Sequence, residues 1–406
     1  MKMKSKRIQC FGCSVLCDDI YVEFEEDGSL KTTINSCFRG NSFIKNYLSE
    51  NRLSQSVQKQ MGLEMFLGNE ETISFLEKEI SEANSINFYG MGTISYQDQL
   101  QVSLKIKEII DKKKTVSIDG LNNSSEFLLL PSLSTIGQGI NNVDVFIFWN
   151  TNPTHSHPKL FGKLLFSRGM FRLSGKEMKK FILIQKEDSD LTRLKDILLD
   201  ISDQNSSQFI KEFEKLLDGK PLEEISLGNL SIENLRTLKT FLQATEYGLI
   251  VGATPLSDHV SISELSDFIQ KLNSFVKGRF AYMPLTSLTN EIGMYSAVTK
   301  IFGMDDKIFQ SKPKPADLAI VFGGEYLRDE FNPKEFEYPE KKVILFDNFK
   351  SNYSKNAIIT IPYAIPGIEC DGCATRLDGI NVDLLKWNSP EEDVKTIKEI
   401  FERISL

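Results

Sequence analysis

The sequence predicts an α/β protein that consists of a small cysteine-rich N-terminal domain and two lobes, each built on a parallel β-sheet. Three observations lead to this prediction. Continuously apolar short segments alternate with segments of helical period from residue 70 onwards, as in parallel β-α-β units with right-handed crossovers. Four of the six cysteines lie between residues 10 and 37. The chain of 406 residues is longer than one hydrophobic core usually supports.

The N-terminal domain is predicted over residues 1–52. Ile20 to Phe24 alternates between apolar and polar residues as a strand does, and residues 30–34 read as the returning strand of a hairpin. Such a hairpin would carry Cys37 back towards the other cysteines. A short helix is predicted over residues 41–48.

The two lobes and a C-terminal segment are predicted over residues 53–235, 236–365 and 366–406. The first lobe includes a polar connector that starts at residue 187 and contains one amphipathic helix. Its predicted strands are 86–89, 115–118, 143–149 and 181–185. Its predicted helices are 70–83, 97–112 and 207–217. The second lobe has predicted strands at 248–252, 280–283, 318–322, 343–346 and 358–361, and a helix at 262–272.

The N-terminal cysteines have the spacing of metal ligands. Cys10, Cys13 and Cys17 form a C-x2-C-x3-C group, and Cys37 follows alone. Thiolates suit iron–sulfur clusters or tetrahedral zinc, but structural zinc sites usually join two C-x2-C pairs. Three ligands from one tight loop and a distant fourth favour a cuboidal cluster. We therefore predict that these four cysteines bind a 4Fe-4S cluster, with zinc, disulfides or no metal as the alternatives.

The composition excludes several classes of protein. A hydrophobic content of 41 % and a charged content of 26 % are ordinary for a globular protein. The net charge of -8 argues against general nucleic-acid binding, which requires a basic face. There is no apolar run of membrane-spanning length, and cysteines follow the basic start where a signal peptide would be apolar. We expect a cytoplasmic protein without a membrane span, where reduced thiols favour metal ligation over disulfides.

The segment after the predicted strand 143–149 carries polar residues. Asn152, His155 and His157 follow Trp149, and open α/β sheets bind ligands at the carboxyl ends of their strands. The asparagine can bind the edge of a purine or pterin, and the histidines can donate to phosphate. The alternative is an ordinary Asn-Pro turn with solvated histidines.

A third motif lies at residues 367–379. Its glycine and polar residues of interest are Gly372, Thr375, Arg376 and Asp378. Glycine allows backbone N–H groups to approach a phosphate or pterin, and the arginine offers a planar fork of donors. Cys370 and Cys373 form a C-x2-C pair without a second pair, which we interpret as two small side chains near a pocket.

Glycines also follow the first predicted strand of each lobe. Gly90 and Gly92 lead from strand 86–89 into a helix, as Gly252 does in the second lobe. The likeness indicates either a structural duplication or the general preference of strand-to-helix turns for glycine. We include Gly90 and Gly92 among the predicted cofactor contacts.

The sequence resembles the B subunit of formylmethanofuran dehydrogenase, a member of the molybdopterin oxidoreductase superfamily. The resemblance rests on three motifs in this order: the cysteine set with Asp18-Asp19-Ile20, the segment Trp149 to Pro158 and the segment Gly367 to Gly379. The resemblance extends from end to end. It implies lobes of the molybdopterin oxidoreductase type, with residues 366–406 completing the loops that face the pterin. It also implies a 4Fe-4S cluster, a molybdopterin guanine dinucleotide that carries molybdenum or tungsten, and the glycine and polar residues named above as contacts of that cofactor.

The same resemblance implies an activity and partners. Carbon dioxide would be reduced to formate at the metal, and a separate subunit would condense formate with methanofuran. Partners would be the other subunits of a formylmethanofuran dehydrogenase-like complex and a one-carbon substrate. Arg39 stands where related enzymes carry a cation between cluster and pterin, so we predict that it relays electrons.

The sequence departs from its relatives where they bind the metal. They use a Cys or selenocysteine within Cys-His-Gly-Pro, and the matching segment here is Ile118-Asp119-Gly120-Leu121. Isoleucine cannot ligate a metal, so Asp119 becomes the candidate catalytic ligand. No cysteine lies between Cys37 and Cys370. A second departure is the segment from Met283 to Asn290, where relatives carry Arg-Gly-His.

Three functions therefore compete. The first is electron transfer and carbon dioxide reduction in a formylmethanofuran dehydrogenase-like complex. The second is a non-catalytic scaffold or electron-relay subunit of a formyltransferase/hydrolase-like complex that has lost the metal ligand. The third is another molybdopterin oxidoreductase, such as a formate dehydrogenase. The four retained cysteines favour a role in electron transfer. The absence of the relatives' metal-binding cysteine favours the non-catalytic scaffold.

Overall fold

The computed structural model divides the chain into two compact units. The first unit comprises Met1–Ser125, Leu288–Arg376 and Asn381–Leu406, and the second comprises Glu126–Ser287 and Leu377–Ile380. The structure describes residues 4–26, 29–60, 63–121, 130, 133–170, 175–186, 188–220, 232–253, 256, 259–304, 307–310, 314–323, 342–350, 354, 356–389 and 394–406. No helix among these residues is long and apolar enough to cross a membrane.

The bounds of the elements are as follows. The strands are β1 (Lys4–Ile8), β2 (Ile20–Phe24), β3 (Leu30–Ile34), β4 (Ser56–Gln60), β5 (Leu63–Leu67), β6 (Ser85–Tyr89), β7 (Thr115–Ile118), β8 (Val145–Trp149), β9 (Lys180–Ile184), β10 (Ile197–Leu199), β11 (Tyr247–Ala253), β12 (Arg279–Leu285), β13 (Leu318–Phe322), β14 (Lys342–Phe346), β15 (Ile359–Ile361), β16 (Gly372–Thr375) and β17 (Asn381–Leu384). The helices are α1 (Phe38–Tyr47), α2 (Asn69–Glu82), α3 (Tyr96–Asp111), α4 (Ile136–Asn141), α5 (Pro153–Ser156), α6 (Pro158–Phe166), α7 (Ser206–Leu217), α8 (Ile232–Gln243), α9 (Ile262–Phe275), α10 (Glu291–Phe302) and α11 (Ile397–Arg403).

The N-terminal part of the first unit is a three-stranded antiparallel sheet in the order β1-β2-β3. The predicted hairpin is present with its predicted bounds as β2 and β3. The predicted short helix is α1, which begins at Phe38 because Cys37 occupies the N-cap position with extended backbone angles. The β-sheet therefore brings the first cysteine loop and the start of α1 into one small subdomain.

The main sheet of the first unit combines strands that are far apart in the sequence. Its order, counted over the described residues, is β5-β4-β15-β14-β13-β6-β7, with β4 antiparallel to both of its neighbours and the other pairs parallel. The chain leaves β6 towards β7 on one side and leaves β13 towards β14 on the other. The gap between β6 and β13 is therefore a topological switch point, the kind of place where open α/β sheets bind ligands.

The second unit contains a parallel sheet in the order β10-β9-β8-β11-β12 over the described residues. Its core includes edge-to-face aromatic contacts, such as Trp149 with Phe209 and with Phe268. The polar segment predicted as a connector contributes β10, the edge strand of this sheet, and helix α7. The strand β10 has only a short apolar sequence, and its hydrogen bonds to β9 stabilise it.

The two units interleave along the chain, which differs from the sequential domains 1–52, 53–235, 236–365 and 366–406 predicted above. The predicted first-lobe strands β6 and β7 join β13, β14 and β15 of the predicted second lobe, and β8 and β9 join β11 and β12. Apolar runs reveal that a strand is buried, but they do not identify its partner. The pattern of apolar residues therefore could not predict which strands, far apart in the sequence, pair in parallel.

A buried ion pair links the segment after α1 to the third motif within the first unit. The guanidinium of Arg52 lies 2.8 Å from the carboxylate of Glu369, and both side chains are almost fully buried. The same guanidinium donates to the side chain of Asn348 and to the carbonyl of Tyr363, and Glu369 also accepts from the backbone N–H of Ile365. This network fixes the turn on which the third motif begins.

We predict that Glu369→Ala lowers the free energy of unfolding of the first unit by about 3–5 kcal/mol, because it leaves the guanidinium buried without its counter-charge. Urea unfolding followed by circular dichroism measures the loss. Lys78→Ala is the control, since it removes an exposed ion pair with Glu82 on α2 and should cost no more than about 0.5 kcal/mol. Equal effects of the two substitutions would contradict the structural role of Glu369.

Candidate functional site

The loop between β1 and β2 gathers three cysteines by a tight backbone turn. The N–H of Cys10 donates to the carbonyl of Cys17 at 2.8 Å, and the N–H of Leu16 donates to the carbonyl of Cys13 at 3.1 Å. Leu16 has a φ of 43°, in the left-handed region that costs a non-glycine residue about 1–2 kcal/mol. Strain of this kind is often found at functional sites, where surrounding contacts enforce it.

Glycines leave room around the sulfur of Cys10. A Cβ at Gly12 would lie 3.3 Å from this Sγ, and a Cβ at Gly40 would lie 3.1 Å from it. The N–H of Gly12 donates to the same sulfur at 3.4 Å. Cys37, at the N-cap of α1, makes no side-chain capping bond, so its thiol is not used to start the helix. The space and the N–H···S bond both suit a thiolate ligand of a cluster.

The four thiols influence one another electrostatically. Burial raises the pKa of Cys10 far above its ordinary value, and the thiols of Cys13, Cys17 and Cys37 raise it further. Burial raises the pKa of Cys13 to about 11, although the guanidinium of Arg39 lowers it. The four thiols and Arg39 are therefore close enough to interact electrostatically. Bound metal would offset the cost of holding several thiolates there.

The described residues contain no group of three or more His, Cys, Asp or Glu side chains arranged to hold a single metal ion. None of the six cysteines, all of which the structure describes, forms a disulfide. Cys10 and Cys17 are buried, and Cys13 and Cys37 are partly exposed.

The loop after β6 meets the switch point of the main sheet. Gly90 has a φ of 70°, and a Cβ there would lie 2.2 Å from the carbonyl oxygen of Phe322 at the end of β13. A Cβ at Gly92 would lie 2.7 Å from Leu288. Both glycines are thus required by contacts within the protein, whether or not a cofactor approaches them.

Asn290 joins this loop to β16 and is completely buried. Its backbone N–H donates to the carbonyl of Gly92, its side-chain N–H donates to the carbonyl of Ile94, and its side-chain oxygen accepts from the N–H of Thr375 at 2.7 Å. Gln99 donates to its carbonyl. The sequence did not predict a role for Asn290, although an asparagine before a helical segment is an N-cap signal that could have identified it.

Asp119 and Gly120 lie just after β7, in the same unit. The N–H of Asp119 donates to the carbonyl of Phe88, and its side chain is half-buried. The hydroxyl of Tyr295 lies 3.2 Å from the carbonyl oxygen of Gly120 and 2.7 Å from the carboxylate of Glu291. This loop is held by α10, and the carboxylate of Glu291 is a buried acidic group that the sequence analysis did not single out.

The rest of the third motif in the first unit lies on or beside β16. Gly372 packs closely against Ser95, and the hydroxyl of Thr375 donates to Asn381. Arg376 is partly exposed. Burial raises the pKa of Cys370 far above its ordinary value, and the carboxylates of Asp98 and Glu369 raise it further.

The remaining predicted contacts belong to the second unit. Asn152 caps α5 by accepting from the N–H of Thr154, and Asp378 accepts from the N–H of Ile136 at the start of α4. His157 is buried with its Nδ1 2.9 Å from the hydroxyl of Ser156. His155 is exposed, and its Nε2 lies 3.7 Å from a carboxylate oxygen of Asp190. Asn152 and Asp378 thus have capping roles within this unit.

Comparisons with known proteins define the class first. No family model matches the chain. The fold is shared with acetylene hydratase from Pelobacter acetylenicus, with a TM-score of 0.65, 11 % identity, and coverage of 98 % of this chain and 69 % of that one. It is also shared with the formyltransferase/hydrolase complex of Methylorubrum extorquens, crystallised with methylofuran, with a TM-score of 0.59, 13 % identity, and coverage of 86 % and 97 %. The class is a mixed α/β fold with parallel sheets.

Sequence comparison is more specific. The chain is 23 % identical over 422 residues to the B subunit of the tungsten-containing formylmethanofuran dehydrogenase 2 of Methanocaldococcus jannaschii, covering 97 % of this chain and 96 % of the relative. It is 24 % identical over 430 residues to the corresponding protein of Methanococcus maripaludis, covering 98 % and 97 %. The resemblance predicted from the three motifs is therefore confirmed over nearly the full length.

We predict that Asn290→Asp destabilises the first unit by about 3 kcal/mol at neutral pH. The carboxylate keeps an acceptor for the N–H of Thr375, but it is a buried charge and turns an oxygen towards the carbonyl of Ile94. Urea unfolding measures the effect.

The loss should shrink as the pH falls towards 4. Burial raises the pKa of the introduced carboxyl in the folded protein, so the folded state binds the proton more readily and regains a donor. The control is Asn46→Asp at an exposed position of α1, which should change stability by less than about 0.5 kcal/mol. A loss that does not depend on pH would disprove the contact as described.

Proposed function

We propose that this chain is the B-type subunit of a formylmethanofuran dehydrogenase-like complex and that it transfers electrons through a 4Fe-4S cluster held by Cys10, Cys13, Cys17 and Cys37. The observation that carries the proposal is the shared neighbourhood of these four thiols in a chain that is similar to B subunits of that enzyme over nearly its whole length. The other subunits of the complex are its proposed partners, and a one-carbon compound is its proposed substrate.

The residues around the thiols support an electron-transfer role. The N–H of Gly12 donates to the sulfur of Cys10, and Arg39 places a positive charge near Cys13. Hydrogen bonds and cations near a cluster stabilise its reduced, more negative state and raise its reduction potential. Arg39 follows Cys37 at the start of α1, so the helix holds the cation beside the ligand loop.

We propose that the same subunit binds a molybdopterin guanine dinucleotide with tungsten or molybdenum, a group that supplies the two-electron reduction of carbon dioxide to formate. We propose that Gly90, Gly92 and Gly372 allow the close packing of the loops of the first unit, because a Cβ at each would lie within 3.3 Å of a neighbouring residue. Thr375, Asn152 and Asp378 form hydrogen bonds within the protein. We therefore propose that each of them stabilises the loop in which it lies. We propose that Arg376 contacts the cofactor's polar groups. His155 and His157 belong to the second unit and stay predictions from the sequence.

A specific observation favours a second candidate, a scaffold or electron-relay subunit without metal chemistry of its own. The loop that matches the metal-binding loop of related enzymes offers Asp119 as its one side-chain ligand, and the carbonyl of the following Gly120 is bound by Tyr295. A carboxylate can ligate a hard, high-valent metal, so Asp119 is the residue on which the two candidates differ. Another molybdopterin oxidoreductase activity, such as formate oxidation, is the third candidate.

Elemental analysis of the native complex, purified without oxygen, separates the candidates. Stoichiometric tungsten or molybdenum together with a pterin would reject the scaffold. Absence of both from a complex that still contains iron would reject metal-dependent reduction and support the relay. Formate oxidation by a preparation that does not use methanofuran would support the third candidate.

We predict about four iron atoms per chain in the anaerobically purified protein and a large loss of iron in Cys13→Ser. The serine hydroxyl is a poor ligand for iron, and a metal site that closes a loop also contributes folding energy, so thermal stability should fall as well. Cys373→Ser is the control and should retain its iron. Unchanged iron in Cys13→Ser, or zinc in a colourless wild-type protein, would refute the cluster assignment.

A further inference from the structure

As far as the structure describes the chain, β5 is an edge strand of the main sheet of the first unit. Within the described part of the chain, β5 pairs only with β4, over five residue pairs without a register shift. Its outer edge carries backbone donors and acceptors that can pair with another strand. Natural edge strands are usually protected by lysine, proline or a bulge, and the sequence Leu-Glu-Met-Phe-Leu of β5 contains neither lysine nor proline.

The strand is also apolar on both faces. Leu63 is 70 % exposed, Phe66 is 61 % exposed and Met65 is 38 % exposed. Alternation along a strand points Leu63 and Met65 to one face and Phe66 to the other. Exposed apolar side chains concentrated on an edge strand are typical of a surface that another protein covers.

The charge on the strand discriminates between possible occupants. Glu64 is the only charged residue of β5 and is exposed. Lys59 lies opposite it on β4, but the ammonium of Lys59 donates to the carbonyl of Ser354. An incoming strand that places a lysine or arginine opposite Glu64 would supply a counter-charge on the outer edge of β5.

A second copy of this chain fits less well. Antiparallel pairing centred on Met65 would set Glu64 opposite Phe66 of the other copy. Pairing centred on Glu64, or parallel pairing in register, would set the two carboxylates opposite each other, which is destabilising. Self-association through β5 therefore leaves the carboxylate unpaired or repelled.

We propose that β5 is a docking edge for an extended segment of another subunit, which adds a strand to the main sheet and carries apolar residues flanking a lysine or arginine opposite Glu64. This inference rests on the proposed function to the extent that it requires a multisubunit complex. It assigns to the B-type subunit a contact made by backbone hydrogen bonds, with Leu63, Met65 and Phe66 giving apolar contacts.

The test uses the native complex and three variants of the full chain. Phe66→Lys places a charge in the apolar contact, and Glu64→Lys repels the proposed cation. Leu104→Lys is the control, because Leu104 is an exposed leucine on α3 and lies outside the sheet edge. Gel filtration with light scattering over a dilution series measures how much chain remains bound to its partners.

We expect Phe66→Lys and Glu64→Lys to raise the apparent dissociation constant about tenfold or more, and Leu104→Lys to leave it unchanged. Circular dichroism of each isolated variant should match the wild type, which separates lost docking from lost folding. A photo-reactive benzoylphenylalanine in place of Glu64 should cross-link, in the purified complex, to a segment of another subunit that contains a lysine or arginine between apolar residues.

Three results would overturn the inference. An intact complex that is insensitive to both β5 variants would refute it and leave the proposed function standing. A wild-type chain that forms dimers lost in Phe66→Lys would show that a second copy occupies the edge. A wild-type chain purified without any partner would contradict both this inference and the multisubunit part of the proposed function.

Discussion

The first unit depends on the parallel pairing of β6 with β13. This pairing joins segments that are more than two hundred residues apart in the sequence and creates the switch point of the main sheet. The contact is tight, since the left-handed backbone of Gly90 lets the loop after β6 pass directly over the carbonyl of Phe322. The loops that carry Gly92 and Asp119 are positioned by the same pairing, because β7 is hydrogen-bonded to β6.

Two polar networks then fix the loops around this sheet. Arg52 and Glu369 hold the turn before β16, and Asn290 ties β16 to the loop after β6. Both networks are buried, so the loss of one of their hydrogen bonds would leave a polar group without a partner and destabilise the fold. Apolar packing stabilises the sheet as a whole, whereas these hydrogen bonds determine where the C-terminal motif lies within the first unit.

The sequence was sufficient to identify most elements and the cysteine group. β2, β3 and β7 have the predicted bounds, because alternation and short apolar runs report burial directly. Strand pairing was not predictable, since parallel partners leave no local signal. The strands β6 and β7 were predicted in one lobe with β8 and β9, whereas they share a sheet with β13, β14 and β15. Asn290 illustrates the same limit at the level of a site. Its capping position can be read from the sequence, but its bond to Thr375 exists only because the fold brings β16 to the loop after β6.

The residues proposed for electron transfer and the candidate metal ligand lie in the same compact unit. The cysteine loop, Arg39, Asp119 and the loop after β6 all belong to the first unit, and Arg52 connects the segment after α1 to the turn before β16. A relay built on the cysteine loop therefore relies on contacts within one compact unit. Metal chemistry would additionally require Asp119 to replace a thiolate, and a carboxylate is a harder ligand that stabilises a higher oxidation state. Under the proposed function, the three differences at Ile118, Asp119 and Leu121 change the ligands available for metal chemistry, whereas the four cysteines proposed to bind the cluster are retained.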